Sequence, residues 1–193
     1  KEMKALEKKK PKKPEIEIKE EAVKPPPVPE GPSFLVTKIR VTGSTIFSEN
    51  ELKKVYGPCL NKKCTFKEIE TVVDRINQMY SKRGYLTTVV YIPEQEAAGG
   101  KIEIKVVEGK AGEIKVEGNK WYPENLIRKN IHIKKNELLN IFTLQRDLLR
   151  INQNTDLEVK TVIEAGREAG MSNITLKVSD KFPYHVGTNY DNT

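Results

Sequence analysis

Four side chains in this sequence are of the types most often recruited for nucleophilic, redox or metal chemistry: Cys59, Cys64, His132 and His185. The cysteines stand five positions apart in one predicted loop, with no other thiol to pair with. In an oxidising compartment they are candidates for a local disulfide, which over so short a loop stabilises only modestly; the alternative is two free thiols. Neither histidine clusters with them, so no metal site is expected. Hydrolytic or acid–base catalysis needs a nucleophile, a base and an orienting group that converge, and phosphate chemistry a glycine-rich loop. Neither pattern occurs, and the many carboxylates alternate with lysines as on solvated faces. The sequence predicts a protein that is not an enzyme, with no catalytic residue and no cofactor.

Binding is the remaining class. The net charge of +7 raises nucleic acid as a partner. Its distribution argues otherwise: residues 1–32 hold nine Lys against seven Glu, and later segments alternate in sign, as in Lys101-Ile102-Glu103-Ile104-Lys105. Charge spread in this way, without a basic stripe, serves solubility, and neither nucleic acid nor a small-molecule substrate is expected. Mean hydropathy is −0.59, and no run approaches the roughly eighteen apolar residues of a membrane-spanning helix. No apolar signal core follows Lys1, so a leader is expected to have been removed or left out ahead of this sequence.

These side chains must be positioned by a repeated framework. Residues 1–32 read as a Lys/Pro-rich linker with Pro25-Pro26-Pro27, extended and semi-rigid. Beyond it, a shift of 75 positions lays Ile39-Arg40-Val41-Thr42-Gly43 on Ile114-Lys115-Val116-Glu117-Gly118, and Arg75-Ile76-Asn77-Gln78 on Arg150-Ile151-Asn152-Gln153. Two copies of one unit are therefore expected, over 33–109 and 110–180. In the first, 34–41 reads as a strand. Ser48 with Glu51, and Thr65 with Glu68, are capping boxes opening two helices. Arg83-Gly84 ends the longer helix, and 87–92 and 101–107 are strands. The second copy repeats this with strands over 113–117, 157–164 and 172–179, Pro123 opening a short helix, and a second helix over 143–152. Lys110-Ala111-Gly112 joins the units. The expected fold is α+β: two tandem βααββ modules, each a three-stranded mixed sheet with two helices on one face. Strand three is central and parallel to strand one; strand two is an exposed rim.

Residues 181–193 change pattern. Phe182, Tyr184, Val186, Thr188 and Tyr190 alternate with His185, Gly187, Asn189 and Asp191, as in the first strand of a transmembrane barrel that continues beyond this sequence; an ordinary tail is the alternative.

A βααββ unit with Arg83-Gly84-Tyr85 before its second strand, Pro93-Glu94-Gln95 after it and Val107-Glu108-Gly109 closing the third resembles the POTRA domain. More narrowly it resembles the first POTRA of the haemolysin-activator-type transporters of two-partner secretion, a pattern that Cys59-Leu60 also fits. The resemblance implies a periplasmic location in a Gram-negative bacterium, ahead of an outer-membrane barrel. It implies as partner the secretion domain of an unfolded adhesin or haemolysin-like exoprotein, passed on without nucleotide hydrolysis. Some relatives begin with a helix that plugs the barrel; the first 32 residues carry no amphipathic stripe of that kind.

An unpaired strand rim can take an extended peptide by β-augmentation. The candidate client-binding residues are accordingly Thr87, Thr88, Val89, Val90, Tyr91 and Ile92 on one rim, Leu157, Val159, Thr161 and Ile163 on the other, with Tyr80 in the adjoining groove. Two other readings of the fold are available. One is a POTRA region in barrel assembly or plastid import. The other is a KH-like nucleic-acid module, which needs a GxxG loop between its helices; the corresponding loops here, Gly57-Pro58-Cys59-Leu60-Asn61 and His132-Ile133-Lys134-Lys135-Asn136, lack one.

Overall fold

Each half of the chain has to bury one apolar helical stripe against one face of a strand set. The computed structural model, which describes residues 16–18, 33–95 and 98–183, accomplishes this twice. A short strand, β1 (Ile16–Ile18), comes first. The first unit runs β2 (Phe34–Val36), β3 (Lys38–Thr42), α1 (Glu49–Tyr56), β4 (Lys62–Cys64), α2 (Phe66–Lys82), β5 (Val89–Tyr91) and β6 (Lys101–Val107). The second runs β7 (Lys110–Glu117), α3 (Glu124–Lys129), α4 (Ile141–Ile151), β8 (Leu157–Ala165) and β9 (Met171–Asp180).

Local chemistry sets the helix limits. Ser48 and Glu51, and Thr65 and Glu68, exchange side-chain and backbone hydrogen bonds in both directions, satisfying donors the first helical turn leaves open. In α2, Ile69, Val72, Val73, Ile76 and Tyr80 form the buried stripe; in α4 it is Leu144, Leu148 and Ile151. Ile102, Ile104 and Val106 of β6, and Ile174, Leu176 and Val178 of β9, receive them.

In the first sheet β6 is central, parallel to β3 and antiparallel to β5; in the second β9 is central, parallel to β7 and antiparallel to β8. The expected topology is present in both units. Two features differ from it. The strand expected over 34–41 breaks at Thr37, whose N–H donates to the Gly100 carbonyl at 2.8 Å and whose hydroxyl reaches the Gly99 carbonyl. Its first part pairs with β4 in a separate two-stranded ribbon. The second sheet also has a fourth strand, because β1 runs parallel to β8 with Ile16 opposite Thr161 and Ile18 opposite Ile163. Smaller shifts concern helix starts: Pro123 is the cap preceding α3, and α4 begins at Ile141 because Asn140 caps it. Strand β7 begins at Lys110, so the joint between units is only Glu108-Gly109.

That joint is braced. The Ile141 N–H donates to the Gly84 carbonyl at 2.8 Å, Asn140 Nδ2 to the Arg83 carbonyl at 2.9 Å, and the Leu139 N–H to the Gly109 carbonyl at 2.9 Å. A Cβ on Gly84, at φ +88°, would lie 2.7 Å from Asn140 Oδ1 and 2.8 Å from the Phe142 ring, so the contact requires glycine. Cys59 and Cys64 are unbridged; Cys64 is buried, and the loss of solvation raises its thiol pKa to about 11. The barrel-strand expectation falls, from Tyr184 onward, outside the described residues, as does most of the 1–32 linker. Among the described residues no helix is long and apolar enough to cross a membrane.

Thr161 is fully buried in β8, and its hydroxyl has no hydrogen-bond partner among the described residues. Replacing it with the near-isosteric valine removes that unpaired group. Thr161→Val is expected to stabilise the chain by about 1 kcal/mol in urea melts.

Candidate peptide-binding rims

Along a rim strand, alternate residues turn both backbone groups outward, away from the neighbouring strand. In β5 the outward residue is Val90, and both its groups are held. Its N–H donates to Asn77 Oδ1 at 3.1 Å, and its carbonyl accepts from Asn77 Nδ2 at 3.4 Å. The second unit repeats the arrangement: the Val159 N–H donates to Asn152 Oδ1 at 2.7 Å, and Asn152 Nδ2 donates to the Val159 carbonyl at 3.0 Å. Asn77 and Asn152 occupy the same place in the 75-residue repeat. A carboxamide carries one acceptor and one donor side by side, which matches one outward peptide unit. Each long helix thus clips the rim strand lying beside it.

This arrangement corrects the expected open rims. The N–H of Thr88 turns back to the Tyr85 carbonyl at 3.3 Å, so Thr87 and Thr88 belong to a turn rather than to β5. Val90 faces the core, Tyr91 and Ile92 are half-buried, and Val89 stands 52 % exposed with Leu86 nearby in sequence at 39 %. On β8 the side chains of Leu157, Val159, Thr161 and Ile163 all fill the second core, so they present no side-chain surface to a guest. The backbone of 161–163 is already paired with β1.

Tyr80 is also corrected: it is 1 % exposed, packed edge-on against Phe47 at 4.9 Å, and cannot line a groove. Its hydroxyl donates to Glu108 Oε1 at 2.8 Å. Glu108 further accepts from the Thr45 N–H and hydroxyl and from the Ile46 N–H. Burial pushes its carboxyl pKa up, but these donors outweigh burial and leave it below the ordinary range. Burial holds the Tyr80 hydroxyl well above the ordinary phenol range. Asp180 performs the corresponding task in the second unit, accepting from the N–H groups of Lys120, Trp121 and Tyr122 at 2.7–3.0 Å. In each unit an acid just beyond or at the end of the last strand fastens the loop that follows the first. Arg83 braces the same corner, 4.1 Å above the Phe47 ring and paired with Glu51 at 2.9 Å.

The sequence reading missed Asn77, Asn152, Glu108, Asp180 and Asn140 as positioning residues. The asparagines were visible, since Arg-Ile-Asn-Gln recurs in register, but a polar residue on a helix beside apolar ones reads as solvent-facing until the strand is placed.

A sequence profile of the POTRA domain, ShlB type, matches residues 34–109. Outer membrane transporter CdiB of Escherichia coli is 27 % identical over 164 residues, covering 85 % of this chain and 28 % of that protein. Heme/hemopexin transporter protein HuxB of Haemophilus influenzae is 21 % identical over 145 residues, covering 74 % of this chain and 26 % of that protein. The chain therefore spans little more than a quarter of these relatives. The solved structure of CdiB from Escherichia coli superposes with a TM-score of 0.73 at 28 % identity, over 80 % of this chain and 28 % of that one. POTRA domains 1–3 of Omp85 from Anabaena share the fold, with a TM-score of 0.67 at 16 % identity, over 77 % of this chain and 66 % of that one.

Glu108→Gln replaces the charged acceptor of the Thr45, Ile46 and Tyr80 donors with a neutral amide and is expected to cost about 2 kcal/mol. The native advantage belongs to the ionised carboxylate, whose folded pKa is lowered. It is present above the ordinary glutamate value of 4.5 and lost as pH falls below it toward the folded pKa. Melts of both proteins from neutral to acid pH should therefore converge at low pH.

Proposed function

We propose that this chain, whose residues 34–109 form a ShlB-type POTRA domain, is the periplasmic client-receiving region of an outer-membrane transporter of two-partner secretion. Its client is the N-terminal secretion domain of an unfolded exoprotein, captured along β5. The likeness to CdiB, an outer membrane transporter, supports this reading through both sequence and fold.

The observation that carries the capture mode is the Asn77 clip on Val90. A short rim strand flanked by exposed Val89 and Leu86 offers an apolar, β-compatible landing site. An incoming extended segment replaces the two hydrogen bonds of Asn77 with two of its own, and the freed carboxamide returns to water. Exchanging like hydrogen bonds changes free energy little, so the net affinity comes from a few apolar contacts and stays modest. Modest affinity suits a client that must move on. The braced joint at Gly84 and Gly109 holds the second unit at a set angle to this site, so a client leaving β5 meets the same neighbouring surface each time.

Val90→Pro removes the outward N–H while leaving the pairing with β6 intact, a substitution that rim positions tolerate. It is expected to weaken binding of the exoprotein's N-terminal domain about tenfold, the equivalent of one hydrogen bond. Asn77→Ala is expected to act in the opposite sense, strengthening binding by unmasking Val90. Binding measured by calorimetry that is unchanged in both variants, with melting curves showing both folded, places capture on another surface.

A further inference from the structure

The parallel strands β7 and β9 end on the same side of the second sheet, so the chain leaves both at one place. Two large aromatic side chains stand there. Trp121 is 54 % exposed and Phe182 49 %, and their rings meet edge to face at 4.8 Å. The backbone beside each is pinned. The Trp121 N–H donates to Asp180 Oδ2 at 2.7 Å, and the Lys181 N–H donates to the Asp156 carbonyl at 2.8 Å. Lys120 and Lys181 precede the two rings in sequence, and both are exposed.

We infer that Trp121 and Phe182, with Lys120 and Lys181, form an interfacial anchor that seats this end of the second unit on an anionic phospholipid surface. The lipid is assigned to the periplasmic leaflet of the outer membrane. That assignment rests on the proposed function above, whereas lipid binding itself rests on the side chains named.

The chemistry of this corner suits a bilayer surface. An indole beside a phenyl ring gains apolar burial among the headgroups while its N–H still finds a partner there. Lysines next to the rings reach phosphate with their ammonium groups and keep their stems over the acyl boundary. Asp180 directs its carboxylate at the N–H groups of Lys120, Trp121 and Tyr122. Those bonds satisfy the loop's donors, so the loop approaches an apolar layer without stripping water from open N–H groups. Pairing with an extended protein segment is disfavoured, because Pro123 and Pro183 carry no backbone donor beside either aromatic. Position agrees with the assignment, since beyond Pro183 the sequence takes up the alternation read above as a transmembrane strand.

Two rings and two lysines bind weakly by themselves. A tether to a barrel in the same bilayer makes the contact intramolecular, where weak binding is enough. Because the joint between the units is braced, seating this end also sets the tilt at which β5 meets a client.

Trp121 is the single tryptophan of the chain, so its fluorescence reports on this corner alone. The test adds vesicles of phosphatidylethanolamine with phosphatidylglycerol to the full chain. Trp121 emission should shift to the blue and be quenched by phospholipid brominated in the upper part of its acyl chains. Partition should fall about tenfold in Phe182→Ser. It should also fall about tenfold in Lys120→Gln with Lys181→Gln, to the level seen with phosphatidylcholine vesicles. Melting curves check that the variants fold, and client binding at β5 should be unchanged in them. Unshifted emission at saturating lipid overturns the inference, as does vesicle binding that leaves Trp121 unquenched. A blue shift that grows with protein concentration in the absence of lipid assigns the corner to a second copy and also overturns it. A client that responds to Val90→Pro while vesicles leave Trp121 unchanged keeps the proposed function and removes this anchor. Lipid binding as expected, with a client indifferent to Val90→Pro, does the reverse.

Discussion

A sheet of three strands has two rims, and every outward peptide group on them must find a partner or face water. The rest of this structure is arranged around that requirement. Asn77 meets it at the middle of β5 and Asn152 near the start of β8, with one side chain apiece. The clip also blunts a surface that would otherwise pair with any extended chain, including another copy of this one. A side chain is a better seal than a further strand for such a purpose, because it can swing away without disturbing the core behind it.

What lets the clip hold its position is the stiffness of the frame. The first and third strands of each unit are parallel neighbours, and the loop leaving the first is fastened by an acid at the end of the third: Glu108 onto Thr45 and Ile46, Asp180 onto Lys120, Trp121 and Tyr122. Charge-assisted bonds to backbone donors are among the stronger ones available. Gly43 and Gly118, at φ +85° and +88°, bring that loop against the carbonyls of Val106 and Val178, where a Cβ would come within 2.5 Å or less. The two units then lock through Arg83-Gly84 and Asn140, so motifs that looked like punctuation in the sequence are the contacts that orient one module on the other.

Much of the framework was legible beforehand because its causes are local. Capping boxes at Ser48 and Thr65, the helical stripe from Ile69 to Tyr80 and the alternation of Ile102, Ile104 and Val106 each act within a few residues, and each appears as read. The duplication also exposed the pairing order, since a parallel return through two helices leaves few topologies. The rims were misjudged for a non-local reason. Whether Val90 and Val159 are open depends on where a helix residue thirteen or seven positions upstream projects, and whether 161–163 is open depends on a tail remote from it in sequence. Tyr80 was expected in the groove between the rim strand and the long helix; its hydroxyl instead has a buried carboxylate to reach. The break at Thr37 depends on the Gly99-Gly100 carbonyls, more than sixty positions away.

The central claim is that a client segment replaces Asn77 on Val90. The most direct measurement is a nuclear magnetic resonance titration of the isotope-labelled chain with the unfolded secretion domain, following backbone amides and asparagine side-chain NH2 groups together. The account predicts that the amides of Val89, Val90 and Tyr91 and the Asn77 carboxamide shift with one common midpoint. Shifts confined to other surfaces, with the Asn77 carboxamide unmoved at saturation, would contradict it.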